Sequence, residues 1–279
     1  MHSRQQLADD CRKLGVRPGE TLMVHASVRA VGEVVGGPDQ IHLAITDALT
    51  GDGTLMMYAG CPRHYDEVGR GNLTPAQERE VLEKLPAFDA RTARSARDHG
   101  VLVECLRTWP DTRVNEHVAR FVFRGRHAAR LIAPQPWNYA FGAGSPLERF
   151  LELDGRILLL GSDHDTVTFL HYAEHILDVP NKRIVRYRVP VEEGERRVWR
   201  DQEEFDTAEG AHPNWPDRFF ARITDGYLTG TRNPGGRIGH ARSHVLPARE
   251  LLAFALPVMK AVAADARAAD HLTELTSEP

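Results

Sequence analysis

The chain is poor in the features that mark secreted or membrane-embedded proteins. Its 279 residues include only three cysteines, Cys11, Cys61 and Cys105, an odd and scattered set with no Cys-x-x-Cys spacing. That pattern argues against a disulfide framework and reads as reduced thiols in a cytoplasmic protein. No stretch nears the ~18 consecutive apolar residues of a membrane helix. Residues Met1 to Asp10 lack the apolar core of a secretion signal. Positive charge is not in excess either. With 35 Lys and Arg against 39 Asp and Glu the net charge is −4, which argues against sequence-independent nucleic-acid binding. Internal repeats and low-complexity linkers are missing as well, so residues 1–279 read as one domain, with a frayed tail from about residue 265.

What is present suffices for a real core: 42% hydrophobic and 27% charged residues. Helix and strand signals alternate along the chain. Residues 4–15 predict a helix closed by Gly15, and Thr21–His25 a short strand. A loop follows over Ser27–Gly32, then a helix from Pro38 to about Leu49 and a second strand, Thr54–Tyr58, after the turn signal Gly51-Asp-Gly53. Residues 61–95 read as an irregular polar insertion, the kind that forms a lid or substrate loop. Helices are predicted over Val101–Trp109, Leu147–Leu153, Trp215–Tyr227 and Ala248–Ala263, strands over Arg120–Phe123 and Ile157–Leu160, and a β-hairpin over 183–205. Together these predict an α/β fold, a mixed sheet flanked by helices, with the hairpin supplying its antiparallel part.

The most informative stretch is Leu170-His-Tyr-Ala-Glu-His175, downstream of the strand Arg156-Ile-Leu-Leu-Leu-Gly161. Residues three apart share a helix face, so Glu174 can lie beside His171 and Thr168 can join them. A base, a carboxylate and a hydroxyl would then point into the crevice at the carboxyl end of a strand, where open α/β sheets hold their ligands. The bland alternative is an amphipathic helix whose His171 and Glu174 only bond each other. A third reading is a zinc site, because His-x-x-Glu-His is also the spacing of the inverted zinc peptidases, with His171 and His175 as ligands and Glu250 as a third. The segment Arg232–Arg242 is glycine-rich and basic but lacks the Lys-Ser/Thr ending of a phosphate-binding loop.

Several collinear segments favour the first reading. Leu22-Met-Val-His-Ala-Ser-Val-Arg-Ala-Val-Gly32, Gly36-Gly-Pro38 and Asp52-Gly-Thr-Leu-Met-Met-Tyr-Ala-Gly60 resemble the amino-terminal signature of the aminoglycoside 3-N-acetyltransferases. Pro86-Ala-Phe-Asp89, Gly100-Val-Leu-Val-Glu-Cys-Leu-Arg-Thr-Trp-Pro110, Gly142-x-x-Ser145-Pro146-Leu147, Asp165-Thr-Val-Thr-x-Leu-His-Tyr-Ala-Glu174 and Gly239-x-Ala241 continue the likeness, in order, from about residue 5 to 256.

The resemblance implies an antibiotic N-acetyltransferase fold, distinct from the common GNAT acetyltransferase fold. It also implies transfer of an acetyl group from acetyl-coenzyme A to the 3-amine of a 2-deoxystreptamine ring, without a metal. His171 would be the general base, Glu174 its partner and Thr168 the nearby hydroxyl. His25, Ser27, Val28, Arg29 and Val31 would receive the coenzyme, and Tyr65, Asp66, Asp89 and Glu104 would contact the aminoglycoside, with Asp206 adding to an acidic pocket. The expected partner is a small-molecule aminoglycoside, with no nucleic acid or membrane involved, and the protein is expected to be a monomer or homodimer. His175 would be an ordinary helix-surface residue. Two alternatives are an N-acetyltransferase of a different amine metabolite and a weakly active aminoglycoside-binding protein. One stretch departs from the family pattern: in Arg113–Gly125 the usual serine and proline are missing, and Arg120 and Phe123 stand where small residues are common. Cys61 likewise replaces a common aromatic, whose role Tyr65 or Trp137 would take.

Overall fold

The computed structural model describes residues 1–272. Its first half contains α1 (Arg4–Lys13), β1 (Thr21–Ala26), α2 (Val28–Val31), α3 (Asp39–Leu49), β2 (Thr54–Tyr58), α4 (Pro75–Lys84), α5 (Val101–Arg107), β3 (Arg113–Val114), β4 (Phe121–Gly125) and α6 (Ala128–Leu131). Then come α7 (Pro146–Glu152), β5 (Arg156–Leu160), α8 (Leu170–Ile176), the hairpin β6 (Ile184–Glu193) and β7 (Arg196–Phe205), α9 (Phe219–Gly230), β8 (Gly236–Ile238), β9 (Ala241–Pro247) and α10 (Ala248–Ala264).

Seven strands form one mixed sheet in the order β3-β4-β2-β1-β5-β9-β8. Only β2, β1 and β5 run parallel; β4 and β9 flank them antiparallel, and β3 and β8 pair outside those. The three central strands are nearly continuous buried runs, as expected where both faces are covered. One face packs on α1, α3 and α5 through residues such as Leu7, Ile45 and Leu106. The other packs on α7 to α10 through Phe150, Phe169, Leu170 and Met259.

Because β1 pairs with β2 on one side and β5 on the other, the chain leaves its carboxyl end in one direction and that of β5 in another. The two paths open a crevice above β1, the topological switch point at which such sheets bind ligands.

Local chemistry explains the element boundaries. Ser3 caps α1 by accepting from the Gln6 amide. Ser145 accepts from the amides of Leu147 and Glu148, with Pro146 at the first helical position, which gives the Ser145-Pro146 pair a structural reason.

Four expectations are corrected. Residues 61–95 are not irregular throughout, since Thr74 and Gln77 form a capping box that starts α4. Ser27–Gly32 is a short helix rather than a loop, because the Ser27 hydroxyl accepts from Ala30. The hairpin 183–205 forms, but as a separate two-stranded sheet; the antiparallel character of the main sheet comes from β4, β9 and their neighbours. Residues 232–242, which the sequence left without a binding role, include Gly236–Ile238 and the start of Ala241–Pro247, strands whose Arg237 and Arg242 bond the carbonyls of His240 and Pro234. Finally, chain order persists past residue 265: Ala266–His271 forms a 3-10 helix, and Ala269 and Leu272 are buried. Residues 273–279 of the expected frayed tail lie outside the described residues. No helix among the described residues is long and apolar enough to cross a membrane.

Candidate active site

The crevice above β1 holds a cavity of about 400 Å3. Each central element contributes to it: His25 from the end of β1, Tyr58 from the end of β2, Ser162 from just after β5, and Thr168 and His171 from the entry to α8. The amide of His171 donates to the Thr168 carbonyl, which fixes their separation, and Thr168 is 7% exposed.

His171 Nδ1 lies 2.6 Å from Glu174 Oε2. Glu174 is 3% exposed, so the carboxylate acts inside the protein rather than on a solvated helix face. The imidazole is held on its flanks by Phe141, 5.1 Å away, and Phe220, edge-on at 4.8 Å. With Nδ1 donating to the carboxylate, the ring's lone pair belongs to Nε2. The bland expectation of a half-buried surface pair therefore accounts for the contact but not for its burial or the cavity it faces.

His25 is the other histidine here. Burial, reinforced by the nearby His99 and His171, pushes its pKa down to about 3, so it is neutral at ordinary pH. His99 joins it in the cavity wall and donates through Nδ1 to the Ala59 carbonyl at 3.1 Å. Of the other residues expected at the coenzyme, Ser27 caps α2, Val28 is half-buried, Arg29 is exposed and Val31 is fully buried.

A second cavity of about 600 Å3 adjoins the first through shared walls at Tyr58, Asp98 and His99. The expected acceptor contacts distribute unevenly around it. Asp66 lines it, half of a charge set that Asp98 and Glu204 share with Arg63, Arg70 and Arg97. Burial raises the Asp66 pKa above the usual carboxylate range. Tyr65 packs edge-on against Phe88 instead, 5.1 Å between rings, and Trp137 lies under the Arg200 guanidinium. Asp89 accepts from the Thr92 hydroxyl and the Arg91 amide, which hold its pKa below the usual value.

Glu104 takes hydrogen bonds from Arg94, Arg107 and the Ser95 amide, and Arg107 above all drives its pKa far down. Asp206 caps a turn at Ala208 and Glu209. The four carboxylates Asp66, Asp89, Glu104 and Asp206 thus do not form one acidic pocket.

His175 is not a surface residue. Its side chain is 2% exposed, Nδ1 donates to the His171 carbonyl and Nε2 lies 2.5 Å from Glu204 Oε1 on β7. Both ring nitrogens are engaged, and Glu250 accepts from the Tyr227 hydroxyl, so the His171, His175 and Glu250 set does not converge on a zinc ion. Among the described residues no group of three His, Cys, Asp or Glu is gathered as metal ligands are. Ser162, His99 and Glu204 carried no signal of their own in the sequence; they reach the cavities only through strand order and the hairpin's return.

The family described as aminoglycoside 3-N-acetyltransferase matches residues 23–260. An aminoglycoside N(3)-acetyltransferase III of Pseudomonas aeruginosa is 40% identical over 256 residues, covering 91% of this chain and 92% of the relative. Among solved structures, AAC-IIIb as a binary with CoASH superposes with a TM-score of 0.86 at 36% identity, covering 93% of this chain and 97% of that one. AAC-VIa bound to sisomicin gives 0.85 at 32% identity, over 93% and 98%. A match of this extent in sequence and in fold leaves one conclusion: the chain belongs to the aminoglycoside 3-N-acetyltransferase family.

Proposed function

We propose that the protein transfers an acetyl group from acetyl-coenzyme A to the 3-amino group of a 2-deoxystreptamine aminoglycoside, working as one domain with His171 as general base. The observation that carries this reading is the His171–Glu174 pair, bonded at 2.6 Å inside the crevice and open to the cavity shared with Thr168 and His25. The family supplies the reaction class and the cosubstrate, and one structural relative is a complex with CoASH.

The chemistry follows from the residues. An amine attacks a thioester only through its neutral nitrogen, and histidine, with a reference pKa near 6.5, suits the removal of its proton. The nitrogen forms a bond to the thioester carbonyl carbon while its proton passes to His171 Nε2. Glu174 holds the tautomer and stabilises the imidazolium. The Thr168 hydroxyl is the donor for the tetrahedral oxyanion. Collapse breaks the carbon–sulfur bond, and the sulfur leaves as the coenzyme thiol with the proton returned from His171. In this reading His25, Ser27, Val28 and Arg29 border the coenzyme side, with the buried Val31 supporting them from the core, and Asp66 with Asp98 border the acceptor side.

A second reading, a different amine as acceptor, is favoured by one observation. Arg63, Arg70 and Arg97 offset Asp66, Asp98 and Glu204 around the larger cavity, and Glu104 is already saturated by arginines. Thiol release from acetyl-coenzyme A, measured with a panel of 2-deoxystreptamine aminoglycosides, decides. Turnover that His171→Ala abolishes supports the proposal. Coenzyme binding without turnover on any of the drugs replaces it with the second reading.

A further inference from the structure

Among the described residues Arg120 is one of the largest fully buried side chains, with none of its surface exposed, and no described carboxylate meets its guanidinium. Four backbone carbonyls do. Nε donates to Gly60 at 2.9 Å, one terminal nitrogen to Ala90 and Ala93, both at 2.7 Å, and the other to Arg94 at 2.7 Å. The backbone of the same residue completes the knot, since its carbonyl accepts from the amides of Ala59 and Gly60. Burial lowers the guanidinium's pKa from its usual value, but a planar five-donor fork stays charged in a protein.

A buried charge without a counterion is expensive unless every donor finds an acceptor. The carbonyls that serve here come from two places, which are also joined just beyond the turn where the Ala96 amide and His99 Nδ1 donate to the Ala59 carbonyl. One is the end of β2, at Gly60. The other is the turn 90–94, which leads directly into Ser95, Ala96 and Arg97. Gly60, Ser95 and Ala96 are lining residues of the larger cavity, as is Ala119 beside the arginine. The side chain therefore sits behind that wall, touching no cavity space itself, and ties its two halves.

We propose that Arg120 is a positioning residue that fixes the acceptor-side wall, holding turn 90–94 against the end of β2 so that the cavity keeps one shape. This deepens the proposed acetyl transfer and rests on that reading of the larger cavity. It also gives a structural meaning to the sequence departure at 113–125. Arg120, which the resemblance marks as a departure, is the pin for the loop that precedes the cavity. Lysine brings three donors on a flexible stem to a place that uses four bonds from a rigid fork, so it can restore only part of the arrangement.

The test is steady-state kinetics of Arg120→Met and Arg120→Lys, varying acceptor and acetyl-coenzyme A separately, together with hydrogen exchange of peptides covering residues 88–97. The expected result is an acceptor KM raised roughly tenfold or more in Arg120→Met, an acetyl-coenzyme A KM within about twofold, and partial recovery in Arg120→Lys. Faster exchange should be confined to residues 88–97. Equal rises in both KM values, or unchanged exchange in that segment, overturn the proposal.

If Arg120→Met does not fold, Arg94→Ala loosens the same turn from its exposed side, where Arg94 bonds Glu104, and should shift the acceptor KM in the same direction by less. No shift there, with Arg120→Lys exchanging like the wild type, also overturns it. If the wild type turns over no aminoglycoside, the acetyl-acceptor reading has failed. The exchange comparison of Arg120→Lys with the wild type then still decides the positioning role on its own.

Discussion

Glu204 Oε1 lies 2.5 Å from His175 Nε2, joining the second hairpin strand to the helix that carries His171. The two side chains are 5% and 2% exposed. Glu204 also accepts from the amides of Ala140 and Phe205, so one buried carboxylate gathers three separate pieces of chain at the rim of the larger cavity. Helix α8 is thereby anchored at the turn next to His171, which explains why the imidazole can be held at one angle between Phe141 and Phe220.

Glu204→Ala should therefore be among the more destabilising single changes. It leaves two amides and one imidazole without an acceptor, and an unsatisfied buried polar group costs about 1–3 kcal/mol, so a total loss of about 3 kcal/mol or more is expected. Urea denaturation checks it. A loss under about 1 kcal/mol would show that water replaces the carboxylate and that the anchor is not structural.

The His171→Ala change should lower kcat by a factor of about a hundred to ten thousand, the usual contribution of a general base. Binding of acetyl-coenzyme A should change little, because the ring faces the reacting centre. Glu174→Gln should fall between wild type and His171→Ala, since an amide still bonds Nδ1 but no longer neutralises the imidazolium. Thiol-release kinetics at saturating coenzyme measure both, and an unaffected kcat in His171→Ala would remove the residue from the chemistry.

Much of this centre was legible in the sequence, and the reasons differ by element. Strands β1, β2 and β5 announced themselves because parallel strands buried on both faces leave continuous apolar runs, and the His171–Glu174 contact followed from helical spacing alone. Strand β9 was not legible: in Ala241-Arg-Ser-His-Val-Leu-Pro247 the exposed Arg242 and the buried polar Ser243 and His244 break the apolar run that would mark a buried strand. The partner of His175 was out of reach for another reason. Its carboxylate is 29 residues away on a hairpin that leaves the main sheet, and periodicity says nothing about where a detached hairpin docks. Glu104 shows the opposite failure. An acidic residue in an expected position looked free to bind a cation, but its arginine partners Arg94 and Arg107 take it first.

Stability should fall on mild acidification, and His117 isolates one contribution. It is 1% exposed, its Nδ1 accepts from the Ala119 amide, and burial lowers its pKa to about 4. The unfolded chain takes up this proton near pH 6.5 while the folded one refuses it until about pH 4. The stabilisation is therefore complete above pH 6.5 and is lost progressively as pH drops toward 4. At pH 5 the loss from this group is about 2 kcal/mol at 1.36 kcal/mol per unit. His25 acts in the same direction. Denaturation midpoints at pH 7 and pH 5 should lie further apart in the wild type than in His117→Gln; equal spacing would mean His117 does not titrate on unfolding.

Gly161 is a point at which the proposed coenzyme side can be perturbed apart from the proposed acceptor side. It ends β5 with φ +63°, a conformation that penalises any side chain. A Cβ added there would sit 2.5 Å from the Ala30 Cβ and 2.9 Å from the Ala241 Cβ. Neither neighbour is a flexible tip, so α2 or the start of β9 must move. Helix α2 is the lighter of the two, four residues held by the Ser27 cap, and it carries Val28, Arg29 and Val31. Gly161→Ala should accordingly raise the KM for acetyl-coenzyme A while leaving the acceptor KM near its wild-type value, the mirror image of the Arg120 variants. Should both variants instead raise the same KM, the two cavities do not divide the substrates between them, and the assignment of coenzyme to the α2 side would have to be reversed or abandoned.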